Sequence, residues 1–309
     1  MDKLLSVVIP SYNEEEMVPV AAETILRILD GAAIPCELLF VDDGSSDQTW
    51  KRIEAVCAKE PRVRGLRFSR NFGKESALLA GLKYAAGDCC VTIDCDLQHP
   101  PEKIVDMYRL WEQGYEIVEG VKVNRGYESA FHRFASDMFY RIMTRAVGRE
   151  MKNRSDFKLL GRRAVDALLS MPEREMFYRA QSAWMGFRAT TLDFEVSPRV
   201  AGESKWNTRK LAAYAIRNIT NFTAYPLRVI LGAGVLMLLV ALGLCIYALA
   251  AEATLFAQLT AVILLVGGII MTSLGIMGYY LSRMFNELRA RPRYIVSEYA
   301  GGDDEEAAR

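Results

Sequence analysis

The sequence predicts an α/β fold, in which a mostly parallel, helix-flanked β-sheet is followed by two membrane-spanning helices. Short apolar runs alternate with helix-length amphipathic segments through the first half of the 309 residues. This alternation is typical of parallel sheets with crossover helices. Two long apolar stretches follow in the last third of the chain. The two patterns together predict a folded α/β domain that is attached to a membrane.

Six short apolar runs are predicted to be the strands of this sheet, because each has the length and residue content of a buried strand. They are residues 4–9, 38–41, 63–68, 89–93, 117–121 and 157–160. Residues 14–29 and 76–86 have the apolar spacing of helices, and another helix is expected to begin near Asp47. Further helical segments are expected between residues 124 and 148 and again before Gly186.

The C-terminal third predicts a membrane hairpin. Residues 227–251 carry Arg228 as their only charge and residues 253–282 carry none, so spans are expected at about 227–251 and 254–281. Arginines flank the hairpin while the turn at Glu252 has no Lys or Arg, which predicts that both outer ends are cytosolic. We therefore expect a cytosolic domain at 1–206, an amphipathic interfacial helix at 207–226, the hairpin at 227–282 and a cytosolic tail at 283–309.

Composition narrows the functional class and the compartment. Lys and Arg number 38 and Asp and Glu number 38, so there is no net charge to favour nucleic acid as a partner. The six cysteines lack paired spacing, and we interpret them as reduced thiols. The first residues lack the apolar core of a signal peptide. We expect a multi-pass protein of the inner (plasma) membrane, with its main domain and both termini in the cytoplasm.

Polar, turn-forming clusters follow four of the predicted strands, at the point where each strand ends. They read PSYNE at 10–14, DDGSSD at 42–47, SRNFGK at 69–74 and DCDLQ at 94–98. Ligands of parallel sheets bind beyond the carboxyl ends of the strands. The sequence therefore predicts that these clusters form one binding site.

The cluster after the fourth predicted strand has the oxygen ligands that a hard divalent cation prefers. Asp94, Asp96 and Gln98 alternate, so in an extended segment their side chains project from one face. Two carboxylates and an amide oxygen suit Mg²⁺ or Mn²⁺ and leave room for diphosphate oxygens. An Asp-x-Asp motif alone is common by chance, but its position at the end of a strand favours a metal site.

Three other features each leave two interpretations open. One of Asp42 and Asp43 is expected to cap the following helix, while the other accepts a hydrogen bond from a base or a ribose hydroxyl. Lys74 either lies in a plain solvated turn or contacts a ligand. The basic loop at 199–205 either binds an anionic ligand or meets anionic lipid headgroups.

In this order, and followed by two apolar stretches, the clusters and the basic loop resemble glycosyltransferase family 2. Within it they are similar to the dolichol-phosphate mannose synthase-like enzymes and the bacterial polyprenyl-phosphate glycosyltransferases. The matching motifs, from Val7 to about Val296, are VVIPSYNEEE, VDDGSSDQT, SRNFGKESALLAGL, TIDCDLQHPPE, SDFKLL, RVAGESKW, PLR and RPRYIV. The resemblance implies a GT-A-type domain that transfers a sugar, with inversion, from a nucleotide sugar such as UDP-glucose to undecaprenyl phosphate. The product would serve cell-envelope glycan synthesis or lipid modification.

The resemblance also implies roles for individual residues. Those expected to bind the nucleotide are Pro10, Tyr12, Glu14, Asp42, Asp43, Lys74 and Asp94. Those expected to hold the metal are Asp94, Asp96 and Gln98. The expected catalytic residues are Asp156, which would face the reacting sugar, with Asp96, Arg199 and Lys205. Those expected to meet the acceptor phosphate are Lys122, Arg125, Arg199, Ser204 and Lys205. Lys122 stands where many members have Arg, and a lysine cannot grip phosphate bidentately.

Other functions remain alternatives at this level. A GDP-mannose-dependent mannosyltransferase would use the same motifs. A processive polysaccharide synthase would be expected to have more spans and a Gln-x-x-Arg-Trp motif, and neither occurs in the sequence. A non-catalytic membrane scaffold would tolerate loss of the acidic motifs, yet Asp94, Asp96 and Asp156 are all present. Association into a homo-oligomer stays open.

Overall fold

The computed structural model describes residues 3–123, 138, 140–145, 148, 150, 154–173, 177–195, 255–289 and 291–302, with six isolated helical positions between 232 and 243. The predicted interfacial helix and most of the first predicted span lie outside the described residues. So do four predicted site residues, Arg125, Arg199, Ser204 and Lys205. The chain divides into two compact units, one of residues 1–206 with 292–309 and the other of residues 207–291.

Eight strands form one sheet in the order β7-β5-β6-β4-β1-β2-β3-β8. They are β1 (Leu5–Ser11), β2 (Cys36–Asp42), β3 (Val63–Phe68), β4 (Cys89–Thr92), β5 (Ile117–Lys122), β6 (Arg154–Gly161), β7 (Ala189–Phe194) and β8 (Val296–Ala300). The pairs β1–β2, β1–β4, β2–β3 and β5–β7 are parallel. The structure thus confirms a mostly parallel α/β sheet and all six of the predicted strands.

The central strands are rich in apolar residues because helices cover both faces of the sheet. In β1, Leu5, Val7, Val8 and Ile9 are fully buried, and every residue of β2 is buried. Alternate residues of these strands belong to separate apolar clusters on the two sides of the sheet. The sheet therefore has a core on each face, and its carboxyl edge is left to carry polar groups.

Seven helices can be delimited in the described part of the chain. They are α1 (Met17–Gly31), α2 (Thr49–Cys57), α3 (Lys74–Tyr84), α4 (Lys103–Glu112), α5 (Arg162–Leu169), α6 (Tyr178–Trp184) and α7 (Leu255–Leu288). Helix α1 begins three residues later than predicted, after a turn in which Asn13 has a φ of 53°. Helix α3 begins two residues earlier than predicted, directly after Gly73, whose φ of 95° suits a residue without a side chain.

Strand β6 runs antiparallel to both of its neighbours, β4 and β5. Its register sets Lys158 opposite Thr92, and the Thr92 hydroxyl donates to the carbonyl oxygen of Asp156. The amino-terminal end of β6 therefore lies at the same edge as the carboxyl end of β4. This reversal brings Asp156 to the predicted ligand edge.

The sequence analysis missed two strands, both at the edges of the sheet. Strand β8 lies within residues 283–309, which were predicted as a cytosolic tail, and pairs antiparallel with β3. Just before it, the ring of Tyr294 stacks on Phe68 with a centroid distance of 5.0 Å. Edge strands have one open side, so β7 and β8 carry polar residues and lack the apolar pattern of the central strands.

Helix α7 covers the second predicted span. Among the residues whose side chains the structure describes, no helix provides a stretch long and apolar enough to cross a membrane. The hairpin stays a prediction from the sequence. The cysteines in the described part of the chain, Cys36, Cys57, Cys89, Cys90 and Cys95, are free thiols.

Helix α3 packs closely on the sheet at Gly81. A Cβ atom at this position would lie 2.2 Å from Val8 Cγ1 and 3.3 Å from Val41 Cγ2. Both contacts are with branched, fully buried side chains of central strands. The absence of a side chain at Gly81 therefore sets how closely α3, which begins at Lys74, approaches the sheet.

We predict that Gly81→Ala lowers the free energy of unfolding by about 1–3 kcal/mol, because the added methyl group overpacks the helix–sheet contact. This loss opposes the helix propensity of alanine, which alone favours the substitution by about 1 kcal/mol. Gly31→Ala is the matched control, since a Cβ there has no neighbour within 4 Å. Urea unfolding of both variants checks the prediction. Equal or greater stability of Gly81→Ala would show that the contact is looser than described.

Candidate active site

The predicted convergence of polar clusters at one edge of the sheet is confirmed. Strands β1, β2, β3 and β4 are parallel neighbours, so the clusters that follow them, residues 10–14, 42–47, 69–74 and 94–98, lie along their shared carboxyl edge. Strand β5 ends at the same edge with Lys122, and β6 brings Asp156 there from the opposite direction. Most of the predicted site residues that the structure describes thus lie at one edge of the sheet.

Four charged side chains form an alternating chain at this edge. Lys74 Nζ lies 2.6 Å from Asp94 Oδ1 and 3.2 Å from Asp156 Oδ2. Arg179, from α6, donates to both carboxylate oxygens of Asp156, with Nε at 2.7 Å from Oδ1 and Nη2 at 2.9 Å from Oδ2. Such a two-bonded guanidinium–carboxylate pair fixes orientation as well as charge. These contacts therefore link four separate segments of the chain, in the order Arg179, Asp156, Lys74 and Asp94.

These contacts set the protonation of both carboxylates. Burial works to raise the pKa of Asp156, but Arg179 and then Lys74 hold that pKa well below its ordinary value. Burial also opposes ionisation of Asp94, yet the charge of Lys74 lowers its pKa as well. Burial works to lower the pKa of Lys74, but the two carboxylates together raise it above its ordinary value. All three groups are therefore charged at neutral pH, and Asp156 is a poor proton acceptor there.

Glu75, the residue after Lys74, was missed in the sequence analysis. Its Oε2 accepts a hydrogen bond from the backbone N–H of Tyr178 at 3.0 Å, which ties α3 to the start of α6. Burial, and next the negative charge of Asp156, raise its pKa to about 7. Glu75 is thus a carboxyl group that titrates near neutral pH beside the charge chain.

A second ionic cluster is buried in the sheet around Lys158, two residues after Asp156 on β6. Lys158 is fully buried, and its Nζ donates to Glu119 Oε1 at 3.1 Å and to Ser182 Oγ at 2.6 Å. Arg154 pairs with the other oxygen of Glu119. Burial lowers the pKa of Lys158 to about 7. These bonds join β5, β6 and α6, and so brace the two elements that carry Asp156 and Arg179.

Asp42 and Asp43 both stabilise loops. Asp42 Oδ1 accepts the backbone N–H of Ser45 at 2.9 Å and so closes a turn. The prediction that Asp42 or Asp43 caps the following helix was wrong, because α2 begins only at Thr49 and the N–H of Thr49 donates to Asp47 Oδ1 at 3.0 Å. The Asp43 carboxylate accepts the backbone N–H groups of Phe72 at 2.6 Å and Gly73 at 2.9 Å. Burial raises its pKa to about 6. Asp43 thereby holds the loop that positions Lys74, and its predicted contact with a nucleoside stays a prediction.

The cluster at 94–98 forms a turn and not the extended segment that the sequence predicted. Leu97 has a φ of 52°, and its N–H approaches the Asp94 carbonyl oxygen at 3.3 Å. Asp94, Asp96 and Gln98 are nevertheless all half-buried, while the residues between them are buried, so the three share one side of the segment. The Gln98 N–H donates to Asp96 Oδ1 at 3.2 Å.

These residues fit a hard divalent cation. Within the described ranges, no three or more His, Cys, Asp or Glu side chains are grouped so that they could hold a metal ion. A magnesium-type site does not require such a group, because one or two carboxylates and the phosphates of a substrate commonly complete it. Asp94 already binds one cation, the Lys74 ammonium, at 2.6 Å. The donor set that suits Mg²⁺ or Mn²⁺ is therefore Asp94 and Asp96 with the amide of Gln98.

The remaining predicted residues lie around this centre. Tyr12 is 39% exposed, and the Glu14 backbone N–H donates to Thr49 Oγ1 at 2.8 Å. Pro10 is half-buried near the end of β1. Burial, and then the positive charge of Arg179, lower the pKa of Lys122.

His99 is a further buried group that the sequence analysis passed over. Its side chain packs between Phe157 and Phe194, and its Nδ1 lies 3.8 Å from Asp94 Oδ2. Burial lowers its pKa to about 4, so the ring is neutral at pH 7. Arg179 and Glu75 were also missed, because their partners lie far from them in sequence. Only His99 had a local signal, since it directly follows the Asp-x-Asp-x-Gln cluster.

Comparison with known proteins identifies the family that this arrangement resembles. Residues 6–169 match the family described as Glycosyl transferase family 2. An uncharacterized glycosyltransferase of Synechocystis sp. is 37% identical over 306 residues, covering 96% of each chain. A prophage bactoprenol glucosyl transferase homolog of Escherichia coli is 33% identical over 301 residues, covering 94% of this chain and 98% of its own. The bactoprenol glucosyl transferase of Shigella phage SfII is 32% identical over 306 residues, covering 97% and 99%.

Among solved structures, glucosyl-3-phosphoglycerate synthase from Mycobacterium tuberculosis, in complex with Mn²⁺, UDP-glucose and phosphoglyceric acid, shares 21% sequence identity. The match covers 69% of this chain and 76% of that one, with a TM-score of 0.47.

The pairing of Arg179 with Asp156 gives a pH-dependent prediction. The native pKa of Asp156 lies below its unfolded value of about 3.9, so its ionisation stabilises the native state above that pH. This contribution is lost as the pH falls through the native pKa. Arg179→Gln should lower the free energy of unfolding at pH 7 by about 3 kcal/mol, the low end for a broken buried pair, because Lys74 still contacts Asp156.

Urea unfolding of the wild type and Arg179→Gln from pH 7 down to about pH 2 measures this effect. The deficit should be largest near pH 7 and should shrink below about pH 4, as Asp156 becomes protonated. Arg179→Lys keeps the positive charge but cannot form the bidentate hydrogen bonds, so its loss of unfolding free energy should be intermediate. A deficit that does not change with pH would mean that Arg179 stabilises the fold through packing.

Proposed function

The chain belongs to glycosyltransferase family 2 and is a glycosyltransferase, and we propose that it transfers a sugar from a nucleotide sugar to a polyprenyl phosphate. The observation that carries the proposal is the alternating charge chain of Asp94, Lys74, Asp156 and Arg179 at the carboxyl edge of the sheet. It gathers in one place the groups needed to hold an anionic donor and an anionic acceptor.

The protonation of Asp156 supports a phosphate acceptor over a hydroxyl acceptor. A sugar hydroxyl needs a general base with a pKa near the working pH, and Arg179 and Lys74 hold the pKa of Asp156 far below that range. A phosphate monoester has its second pKa near 6, so it is already mostly a dianion at pH 7. Its oxygen can attack the anomeric carbon without first losing a proton. Asp156 then orients Lys74 and the sugar, and the transfer proceeds with inversion.

The proposed acceptor is undecaprenyl phosphate, in accord with the relatives named bactoprenol glucosyl transferase, which are 32–33% identical over nearly the full length. The proposed donor is a UDP-linked hexose such as UDP-glucose, since these names specify glucosyl transfer. A GDP-mannose donor is the alternative. The product would be a polyprenyl-phosphate sugar for cell-envelope glycan synthesis or lipid modification.

A divalent cation, Mg²⁺ or Mn²⁺, is proposed as the cofactor and would be held by Asp94, Asp96 and Gln98. When bound, it would stabilise the negative charge that develops on the departing nucleoside diphosphate. Lys74, which lies next to Asp94, would contact the same diphosphate. Pro10, Tyr12, Glu14 and the loops held by Asp42 and Asp43 would then surround the nucleoside.

We further propose that the reaction takes place at the cytosolic face of the plasma membrane. The support is the sequence pattern in which the basic loop at 199–205 and the amphipathic segment 207–226 precede two long apolar stretches. A lipid phosphate would lie among the headgroups next to Arg199, Ser204 and Lys205, with Lys122 and Arg125 on its path to the sheet edge. Arginine asymmetry around the hairpin supports this orientation.

A transfer assay tests the function directly. Radiolabelled UDP-glucose and undecaprenyl phosphate, with Mn²⁺, should give a labelled lipid, and chelation of the metal should abolish it. Asp96→Asn should reduce the rate at least about 100-fold, because the cation loses a charged ligand near the diphosphate. Glu75→Gln should keep most of the activity, since a phosphate acceptor needs no base. Transfer from GDP-mannose alone would establish the alternative donor, and no labelled lipid from any nucleotide sugar would refute the proposal.

A second prediction separates the acceptor from the donor. Replacing Arg199 and Lys205 together by Gln removes two positive charges and leaves Asp94, Asp96 and Gln98 intact. Each lost charge-assisted bond to the acceptor phosphate should cost about 1.5–3 kcal/mol, which appears as a raised KM for the lipid phosphate. Calorimetric affinity for UDP-glucose with Mn²⁺ should change little. Loss of donor binding with an unchanged acceptor KM would assign this loop to the leaving diphosphate.

A further inference from the structure

His99 is held rigidly beside the carboxylate edge by aromatic packing. Its ring stacks on Phe157 with a centroid distance of 5.2 Å and an interplanar angle of 17°. Phe194 meets the same ring edge-on at 5.3 Å, and Phe157 and Phe194 pack against each other at 5.6 Å. The His99 side chain is only 5% exposed. These contacts leave the imidazole little freedom to rotate, so the direction in which its nitrogens point is set by the core.

One nitrogen of this buried ring has no hydrogen-bond partner in the part of the chain that the structure describes. This nitrogen, His99 Nδ1, lies 3.8 Å from Asp94 Oδ2, which is too long for a hydrogen bond. Buried polar atoms are nearly always paired, so an unpaired nitrogen directed at a charged carboxylate requires an explanation. The neighbouring residue Gln98 is not that partner, since its backbone N–H donates to Asp96.

The contact of Asp94 Oδ1 with Lys74 explains why Asp94 Oδ2 lies as far as 3.8 Å from His99 Nδ1. Lys74 Nζ lies 2.6 Å from Asp94 Oδ1, so in this structure the carboxylate is engaged by Lys74 on the side away from His99. A displacement of Asp94 Oδ2 by about 1 Å toward the ring would bring it within hydrogen-bond distance of Nδ1. The structure thus contains a carboxylate with one cationic partner on one oxygen and, close to the other, a ring nitrogen that has no partner among the described residues.

We propose that His99 is a positioning residue for Asp94, donating a hydrogen bond from Nδ1–H to Asp94 Oδ2 when a divalent cation replaces the Lys74 ammonium at this carboxylate. The inference rests on the proposed function, since it requires that Asp94 binds the cation of a nucleotide-sugar enzyme. Carboxylates that ligate metals are themselves hydrogen-bonded, and loss of such a partner typically weakens metal binding 10–100-fold. His99 would thereby orient Asp94 without touching the cation or the substrate.

The proposal also explains the buried position of the ring. A neutral imidazole carries one N–H, and its burial between two phenyl rings keeps water from competing for that donor. Asp94 Oδ2, at 3.8 Å, is a carboxylate oxygen that the structure brings near Nδ1. An asparagine at position 99 would place an amide N–H near the position of Nδ1, whereas a glutamine would place it near Nε2.

The experiment measures Mn²⁺ binding to the full chain in the presence of UDP, by electron paramagnetic resonance of free and bound Mn²⁺. His99→Phe keeps an aromatic ring between Phe157 and Phe194 but has no donor, and it should bind Mn²⁺ about 10–100-fold more weakly than the wild type. His99→Asn should recover most of the affinity, and His99→Gln should not. The Asn and Gln variants form a matched pair should the Phe variant fold poorly.

Three results would overturn the inference. The first is a Mn²⁺ affinity of His99→Phe equal to that of the wild type. The second is equal losses in His99→Asn and His99→Gln, which would show that the position of the N–H does not matter. The third is a ¹⁴N coupling to bound Mn²⁺ in the wild type that disappears in His99→Phe, which would make His99 a ligand itself. If the wild type with UDP binds no Mn²⁺ at all, the proposed cofactor fails together with the inference, and this outcome is distinct from the three above.

Discussion

Two carboxylates at the carboxyl edge of the sheet share one ammonium group, and the arrangement of the site depends on this contact. Without Lys74 between them, Asp94 and Asp156 would be two negative charges brought together in a partly desolvated place. Arg179 contacts Asp156 as well and adds a second positive charge that offsets the two carboxylates. The four charges alternate in sign, so each stabilises the ionised form of its neighbours. The same alternation keeps Asp156 ionised at neutral pH and suits it to orient groups rather than to accept protons.

The rest of the domain holds these four groups in position. Asp43 fixes the loop before α3 through the backbone amides of Phe72 and Gly73, and Gly81 lets the same helix lie close to the sheet. The buried pair of Lys158 and Glu119 ties β6 to β5, and the Ser182 hydroxyl extends that tie to α6. A buried ion pair adds little net stability, because desolvation offsets its attraction, but it strongly disfavours other arrangements of the same elements.

Much of the fold could be predicted from the sequence, because the central strands are largely buried and therefore form short runs rich in apolar residues. All six predicted strands are present, and helices α1 and α3 begin within three residues of the prediction. The edge strands β7 and β8 were missed because an edge strand with an exposed side needs no such run. The pairing of β8 with β3 joins residues more than 200 positions apart, and no local pattern reports a contact of that range.

The sequence by itself determined the chemistry available at the site, because strand ends in a parallel sheet carry the polar clusters and these are visible as motifs. It identified Asp94, Asp96, Lys74 and Asp156 without showing which of them touch. Only the tertiary structure decided that Lys74 bridges two carboxylates, that Arg179 grips Asp156, and that His99 faces Asp94 from a buried aromatic cluster. The physical reason is that protonation and orientation depend on distances of a few ångströms between groups on different elements. Those distances arise from the reversed direction of β6 and from the packing of α3 and α6.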